Sequence, residues 1–209
     1  GLSFLIVDMR SPGITVRPLR QMTGSAEFNE VFFEEVRVPR ENLVGAPGDG
    51  WRIANTTLTH ERGTNARQMV IHRQLLDELL ALARASIGGA PAAASDPWLR
   101  QLLAQSFVEV EIQRLGNYRT LTRTLRGEAP GAEGSVNKLV WSEMSQRLHD
   151  VAFQVLGARS QLVRGSPHAV AGGRWQRSLL YYRAGTIFAG TSEIQRNIIA
   201  QRVLGLPRG

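Results

Sequence analysis

The sequence predicts a mainly α protein, in which an antiparallel helical bundle follows a partial antiparallel β-domain. Short β-rich runs occupy the first 47 residues, and apolar residues recur at helical spacing after them. A glycine-rich segment, residues 45–50, separates the two patterns. We therefore assign residues 1–47 to a part of a β-domain and residues 48–209 to a helical bundle domain.

The β-domain contains about three predicted strands. Residues 1–8 form the first, residues 14–19 follow the turn at Pro12-Gly13, and a β-rich run centred on residues 28–33 is closed by Pro39. So small a sheet has unpaired edges and is marginally stable alone. The chain starts without a methionine or a signal-peptide pattern. We expect a preceding region or another chain to supply the missing strands.

Four helical segments are predicted after the glycine-rich segment, and long antiparallel helices imply a bundle. Their bounds follow from helix-breaking and capping residues. The first segment runs from Trp51 to a break at Gly88-Gly89, and the second begins with Asp96 as N-cap and Pro97 in the first turn. The third covers Val136 to about Leu156, and the last covers Thr191 to Leu204 before Gly205. Residues 157–173 are predicted to be of mixed structure.

Composition limits the classes of function. The net charge is +7, but Lys138 is the only lysine and the arginines are spread along the chain without a basic block. This pattern favours ion pairs and contacts with small anions over nucleic acid. No apolar run approaches a membrane span. The chain has no cysteine, which excludes disulfides and thiol catalysis and fits a reducing compartment, so we expect a cytoplasmic protein.

The segment Ala189 to Arg196 is the most informative motif. Glycine permits close approach to the backbone, the hydroxyls of Thr191 and Ser192 can cap the free N–H groups, and a helix start favours negative charge. An ordinary helix N-cap explains the same residues. Physical chemistry alone leaves both interpretations open.

A family resemblance adds to this. The runs Phe28 to Pro39, Asn42-Leu43-Val44-Gly45 and Gly50-Trp51, together with the closing segment Ala189 to Pro207, resemble the C-terminal half of an acyl-CoA dehydrogenase. The resemblance covers the whole chain: the end of the family's middle β-domain and its C-terminal helical domain. It implies α,β-dehydrogenation of an acyl-CoA thioester, in which a glutamate removes the α-proton and FAD accepts the β-hydrogen as hydride.

The position of that glutamate is the sharpest question. Many family members carry it immediately before the Gly-Thr pair, where this chain has Ala189. The isovaleryl-CoA and long-chain branch instead has a Leu-x-x-Glu-Arg pattern on the first bundle helix, and Leu58-Thr59-His60-Glu61-Arg62 is similar to it. The resemblance thus implies Glu61 as the base. A surface carboxylate paired with an arginine is the alternative.

The chemistry sets requirements on this site. A carboxylate becomes a stronger base when burial raises its pKa, and enolate charge at the thioester oxygen needs oriented donors. By resemblance, the Ala189 main-chain N–H is one donor, and alanine keeps that N–H. The resemblance also implies substrate contacts at Arg62 and Gly190.

Cofactor contacts are implied at two places. Thr191 and Gln195 match family positions that contact FAD. Gln154 and Gly157 resemble a Gln-x-x-Gly segment that meets FAD across a dimer interface, although Ala158 and Arg159 depart from the usual glycines, and Arg84 is the nearest substitute for a missing arginine motif.

Two other groups of residues are not expected to carry chemistry. Glu193 is assigned to its helix start. The four histidines lack metal-ligand spacing, and we expect no metal.

Two function classes stay open. The first is a catalytic FAD-dependent dehydrogenase with an electron-transfer-flavoprotein type of acceptor. The second is a non-catalytic helical assembly subunit. In either class we expect an oligomer, either a dimer of dimers or a hetero-oligomer with a related subunit. The acyl group is not specified by the sequence.

Overall fold

A computed structural model describes residues 1–61, 66–128 and 131–207 of the chain. By internal contacts the chain divides into two compact units, residues 1–61 and residues 62–209. The predicted domain boundary between residues 47 and 48 lies 14 residues before this division, because helix α1, Gly50–Glu61, groups with the strands. The domain assignment of α1 therefore stays a prediction.

The first unit contains two antiparallel strand pairs. Strand β1, Phe4–Leu5, pairs with β4, Leu43–Val44. Strands β2, Ile14–Leu19, and β3, Phe28–Phe33, pair along their whole lengths with Ile14 opposite Phe33. Nearly every side chain of β2 and β3 is exposed, so the described residues cover neither face of this pair. This is the behaviour of a partial β-domain, as predicted.

The second unit is a helical bundle. Within the described residues its helices are α2, Ala66–Arg84; α3, Pro97–Leu125; α4, Glu133–Leu156; α5, Arg174–Tyr182; and α6, Ser192–Ile198. Helix α4 is central, since it packs against α2, α3, α5 and α6. A π-helical turn, Ile199–Val203, continues α6. The predicted fold class, a mainly α chain with a helical bundle after a partial antiparallel β-domain, is confirmed.

Local sequence explains where α3 begins. The Asp96 side chain accepts hydrogen bonds from the N–H groups of Trp98, at 2.8 Å, and Leu99, at 3.4 Å, which confirms the predicted N-cap. The predicted first helix corresponds to α1 and α2, and residues 62–65 between them lie outside the described part. Helix α5 was not predicted. Its sequence is polar except for a few apolar residues, of which Trp175 and Tyr182 are buried.

The bundle core contains both apolar and polar buried side chains. Leu76, Leu79, Met144, Leu148 and Trp175 are almost fully buried, and they belong to one contiguous cluster. Among the described residues, no helix is long and apolar enough to cross a membrane.

Candidate functional site

The turn before α6 has an unusual main-chain conformation. Ala189 and Gly190 have positive φ angles, 54° and 88°. Positive φ is uncommon for alanine, because its Cβ approaches the carbonyl oxygen. A Cβ at position 190 would lie 2.5 Å from Gln195 Nε2, so a side chain there would displace the Gln195 amide. The predicted motif is therefore a specific turn, and its shape depends on Gly190.

Gln195 holds this turn in place. Its side chain is fully buried, and its Nε2 donates hydrogen bonds to the main-chain oxygens of Ala189, at 2.9 Å, and Gly190, at 3.0 Å. The two carbonyls therefore point toward the helix. Within the described residues, the Ala189 N–H donates no hydrogen bond.

Thr191 caps α6. Its Oγ1 accepts a hydrogen bond from the Ile194 N–H at 3.3 Å, which is the ordinary N-cap interaction. Two neighbouring polar atoms are different. Ser192 Oγ and Gln195 Oε1 are buried and have no hydrogen-bond partner in the described chain. Such atoms are costly to leave unpaired, so this region has hydrogen-bonding capacity for a further group.

Charges surround the start of α6. A hydrogen bond from its own main-chain N–H holds the pKa of Glu193 below its ordinary value, with help from Thr191, Arg196 and Lys138. This agrees with a helix-start role for Glu193. Burial lowers the pKa of Lys138, whose side chain is 4% exposed. An open groove of about 480 Å³ runs past this region, and its lining includes Thr191, Ser192 and Glu193.

A second groove, of about 460 Å³, contains other predicted residues. Gln154 and Gly157 both line it at the end of α4. Arg159 lines it too, and its guanidinium occupies the space that a Cβ on Gly88 would need. Arg84 is exposed at the end of α2 and does not line this groove. The structure thus brings Gln154 and Gly157 together and adds Arg159, which sequence reasoning treated only as a departure from the family pattern.

The buried centre of the bundle was not predicted. His72 Nδ1 lies 2.9 Å from Gln113 Oε1, and His72 Nε2 lies 2.7 Å from Ser145 Oγ. His149 Nδ1 lies 2.7 Å from the Ser145 carbonyl oxygen, and its ring packs on Tyr182 at 4.7 Å. A single histidine in a sequence does not indicate a buried, hydrogen-bonded side chain. The one available signal is that His72 shares a helix face with Leu75, Leu76 and Leu79, which indicates burial.

Burial determines the charge of these histidines. Desolvation lowers the pKa of His72 to about 4, although its hydrogen bond to Gln113 opposes the shift. Desolvation also lowers the pKa of His149. Both rings are therefore neutral at pH 7. Their contacts serve to hold α2, α3, α4 and α5 together. No cluster of three or more metal-ligating side chains occurs in the described ranges.

The predicted base lies in the first unit. Glu61 is the last residue of α1, but its side chain lies outside the described part of the chain, as does Arg62. The proposed roles of both residues therefore stay predictions.

Comparison with known families gives the class of this helical domain: it is the C-terminal domain of an acyl-CoA dehydrogenase. The family model described as "Acyl-CoA dehydrogenase, C-terminal domain" matches residues 48–204. The chain belongs to the acyl-CoA dehydrogenase family.

Individual relatives agree with this assignment. Acyl-CoA dehydrogenase IpdE1 of Mycobacterium tuberculosis is 42% identical over all 209 residues, which make up 51% of that protein. Two solved structures have the same fold. The Tcur3481-Tcur3483 steroid ACAD has a TM-score of 0.88 at 26% identity, over 100% of this chain and 53% of that one. The ChsE4-ChsE5 complex from Mycobacterium tuberculosis has a TM-score of 0.84 at 28% identity, over 99% and 53%. The chain spans about half the length of these relatives.

Proposed function

We propose that the protein containing this chain catalyses FAD-dependent α,β-dehydrogenation of an acyl-CoA thioester. The observation that carries the proposal is the turn at Ala189-Gly190, where a buried Gln195 amide fixes both carbonyls while the Ala189 N–H stays without an acceptor in the described chain. A main-chain donor beside such a fixed turn suits an oxygen that gains negative charge, since oriented donors need no reorganisation during the reaction.

Glu61 is the proposed base. Its carboxylate would take the proton from the substrate α-carbon, while the thioester oxygen accepts a hydrogen bond from the Ala189 N–H. Alanine at position 189 has no carboxylate, so the base must come from elsewhere in the protein. Glu61 in the Leu-x-x-Glu-Arg pattern is the candidate that the sequence supports. Arg62 and Gly190 are proposed to contact the thioester substrate.

The residues at the start of α6 fit a bound flavin. Ser192 Oγ and Gln195 Oε1 are buried polar atoms that lack partners among the described residues, so they can pair with polar atoms of a cofactor. Thr191 and Gln195 are proposed to contact FAD there, and Gln154, Gly157 and Arg84 to contact the FAD of a second subunit. When bound, FAD supplies the acceptor for the β-hydrogen and its two electrons.

The relatives suggest a first substrate class. The Tcur3481-Tcur3483 structure is described as a steroid ACAD. We therefore propose a bulky, ring-bearing acyl-CoA before a linear one. We also propose an electron-transfer-flavoprotein type of acceptor and a cytoplasmic location. The assignment of residues 48–209 to the helical domain is likewise a proposal.

A non-catalytic assembly role is the second candidate. The observation that favours it is Ala189 itself, because a subunit without the usual carboxylate at this turn can lack turnover. Both similar structures, Tcur3481-Tcur3483 and ChsE4-ChsE5, have two named components. We propose that this protein also assembles, either with itself or with a related subunit.

The visible spectrum of the purified full-length protein separates the two candidates. The enzyme should show a flavin band that ring-bearing acyl-CoA bleaches without oxygen, and linear acyl-CoA esters of several lengths serve as matched controls. A protein that assembles but carries no flavin would support the non-catalytic role instead.

A further inference from the structure

The linker between α5 and α6, residues 183–191, is held on one side by α4. Gln146 of α4 makes three of these contacts. Its Nε2 donates hydrogen bonds to the main-chain oxygens of Tyr182, at 3.2 Å, and Arg183, at 3.3 Å, and to Thr186 Oγ1, at 3.0 Å. An amide nitrogen has two hydrogens, so the three acceptors share them. Gln146 thus joins the end of α5 to the turn that follows it.

Neighbouring residues on the same face of α4 also contact the linker. Ser142, Gln146 and Asp150 are spaced four residues apart, so they lie on one helix face. Asp150 forms an ion pair with Arg183. The main chain packs closely at Gly185, where an added Cβ would lie 3.8 Å from Ser142 Cβ. The linker therefore lies along α4, and Gln146 sits between the two other contacts.

The Ala189 N–H lies between two held parts of the linker. On one side, the Phe188 N–H donates a hydrogen bond to the Ala184 carbonyl at 3.0 Å, within the turn that Gln146 contacts. On the other side, Gln195 holds the Ala189 carbonyl. The peptide unit between Phe188 and Ala189 carries the N–H. Because a peptide unit is planar, holding both neighbouring units fixes its two Cα atoms and leaves only rotation about the line between them.

We propose that Gln146 is a positioning residue for the dehydrogenation: it holds the linker before Ala189, as Gln195 holds the turn after it. The proposal rests on the proposed function, in which the Ala189 N–H donates to the thioester oxygen. Negative charge develops on that oxygen only as the α-proton leaves. A displaced donor therefore weakens the transition state more than it weakens substrate binding.

A cap on the end of α5 is the simpler role for Gln146, because the last carbonyls of a helix lack partners within it. Under that role, loss of the amide would loosen the linker but leave the rate of flavin reduction unchanged. Two measurements, one of the linker and one of the chemistry, therefore separate the two roles.

Hydrogen exchange followed by mass spectrometry measures the linker without any substrate. Gln146→Met keeps the side-chain length and removes the donor. In the full-length protein, amides of residues 183–190 should then exchange about tenfold faster than in the wild type. Thr186→Val removes one of the three acceptors and should give a smaller increase; it is the milder variant if the first does not fold. Gln101→Met, the same change at an exposed glutamine of α3, should leave this exchange unchanged.

Anaerobic flavin reduction by acyl-CoA measures the chemistry. At saturating acyl-CoA, reduction in Gln146→Met should be about tenfold slower, which is less than the loss of about 10²–10³-fold typical of removing a donor outright. The acyl-CoA concentration that gives half the maximum rate should change by less than about twofold, because binding of the ground state is spared. Gln101→Met should match the wild type in both quantities.

Two results would overturn the proposal. One is faster exchange in Gln146→Met with an unchanged rate of reduction per bound flavin, which would leave Gln146 as a helix cap. The other is unchanged exchange in both Gln146→Met and Thr186→Val, which would show that the linker keeps its place without this contact. A wild-type flavin that no acyl-CoA reduces would refute the proposed function and this role with it, whereas a normal wild type with an unaffected Gln146→Met would refute this role alone.

Discussion

The Gln195 side-chain amide donates a hydrogen bond to the Ala189 carbonyl oxygen, at an Nε2–O distance of 2.9 Å, from one turn inside α6. This contact links the position where a carboxylate is missing to the interior of the bundle. It also fixes the plane of the peptide that joins Ala189 to Gly190, because the atoms of one peptide unit are coplanar. The turn that carries the proposed oxyanion donor is thus held by a buried glutamine.

Replacement of Gln195 should weaken both stability and chemistry. Gln195→Leu keeps the apolar volume but leaves the Ala189 and Gly190 carbonyls without their donor, which costs about 1–3 kcal/mol. We expect a lower thermal midpoint and slower flavin reduction with flavin still bound. Gln101→Leu, on an exposed position of α3, is the control and should be within about 0.5 kcal/mol of the wild type. Equal stabilities of the two variants would contradict this role for Gln195.

Gly190 should tolerate alanine poorly for a reason beyond its φ angle. Gly190 and Gly205 have similar positive φ angles, 88° and 71°, so alanine strains both by about 1 kcal/mol. Only at position 190 would the new Cβ meet Gln195 Nε2, whereas nothing lies within 4 Å at position 205. Gly190→Ala should therefore lower the melting temperature more than Gly205→Ala does. A similar loss in both would show that the turn can relax.

Ser145 should matter more than another buried serine of the bundle. Its Oγ contacts His72 Nε2 at 2.7 Å and the Trp141 carbonyl at 2.6 Å, whereas Ser106 Oγ bonds only the Leu102 carbonyl in its own helix. Ser145→Ala leaves a buried imidazole nitrogen unpaired, at about 1–3 kcal/mol. Ser106→Ala should cost less. A double-mutant cycle of Ser145→Ala with His72→Leu measures the coupling, and strictly additive losses would contradict the contact.

Stability should fall in mild acid because of His72. Its pKa is about 4 in the folded protein against 6.5 for the free side chain. The unfolded state therefore binds the proton first. Stability from this group is complete above pH 6.5 and is lost as the pH falls toward 4, by about 3 kcal/mol in total.

Denaturation at pH 7 and pH 4.5 measures this loss. His72→Gln should reduce the difference between the two pH values, whereas His168→Gln, at an exposed histidine, should not. An unaltered pH dependence in His72→Gln would assign the effect to other groups, of which His149 is the first, because burial lowers its pKa as well.

The sequence predicts those parts of the fold that local rules govern. Asp96 before Pro97 sets the start of α3, and the strands at Ile14–Leu19 and Phe28–Phe33 follow from their β-rich pattern and flanking turns. Helix α5 follows no such rule. It is stabilised by the burial of Trp175 and Tyr182 against other helices, which is a tertiary effect.

In the candidate site, too, some features follow from local sequence and others depend on tertiary packing. The Gly190-Thr191 turn is visible in the sequence, because glycine and a capping hydroxyl act locally. The bond from Gln195 back to Ala189, the approach of Arg159 to Gly88 and the contact of His72 with Ser145 all depend on chain segments coming together. The spacing of residues in the sequence does not predict these contacts. Residue types alone therefore indicate where a site lies, and packing determines its geometry.

The central claim is that Glu61 removes the α-proton. The most direct test is the rate of flavin bleaching when acyl-CoA is mixed with the full-length protein under anaerobic conditions, compared between wild type and Glu61→Gln. The glutamine keeps the shape and removes the proton acceptor, so the rate should fall by about 10²–10⁴-fold while the flavin content is unchanged. Bleaching by Glu61→Gln at a near-normal rate would contradict the claim and leave Glu61 as a surface ion-pair residue.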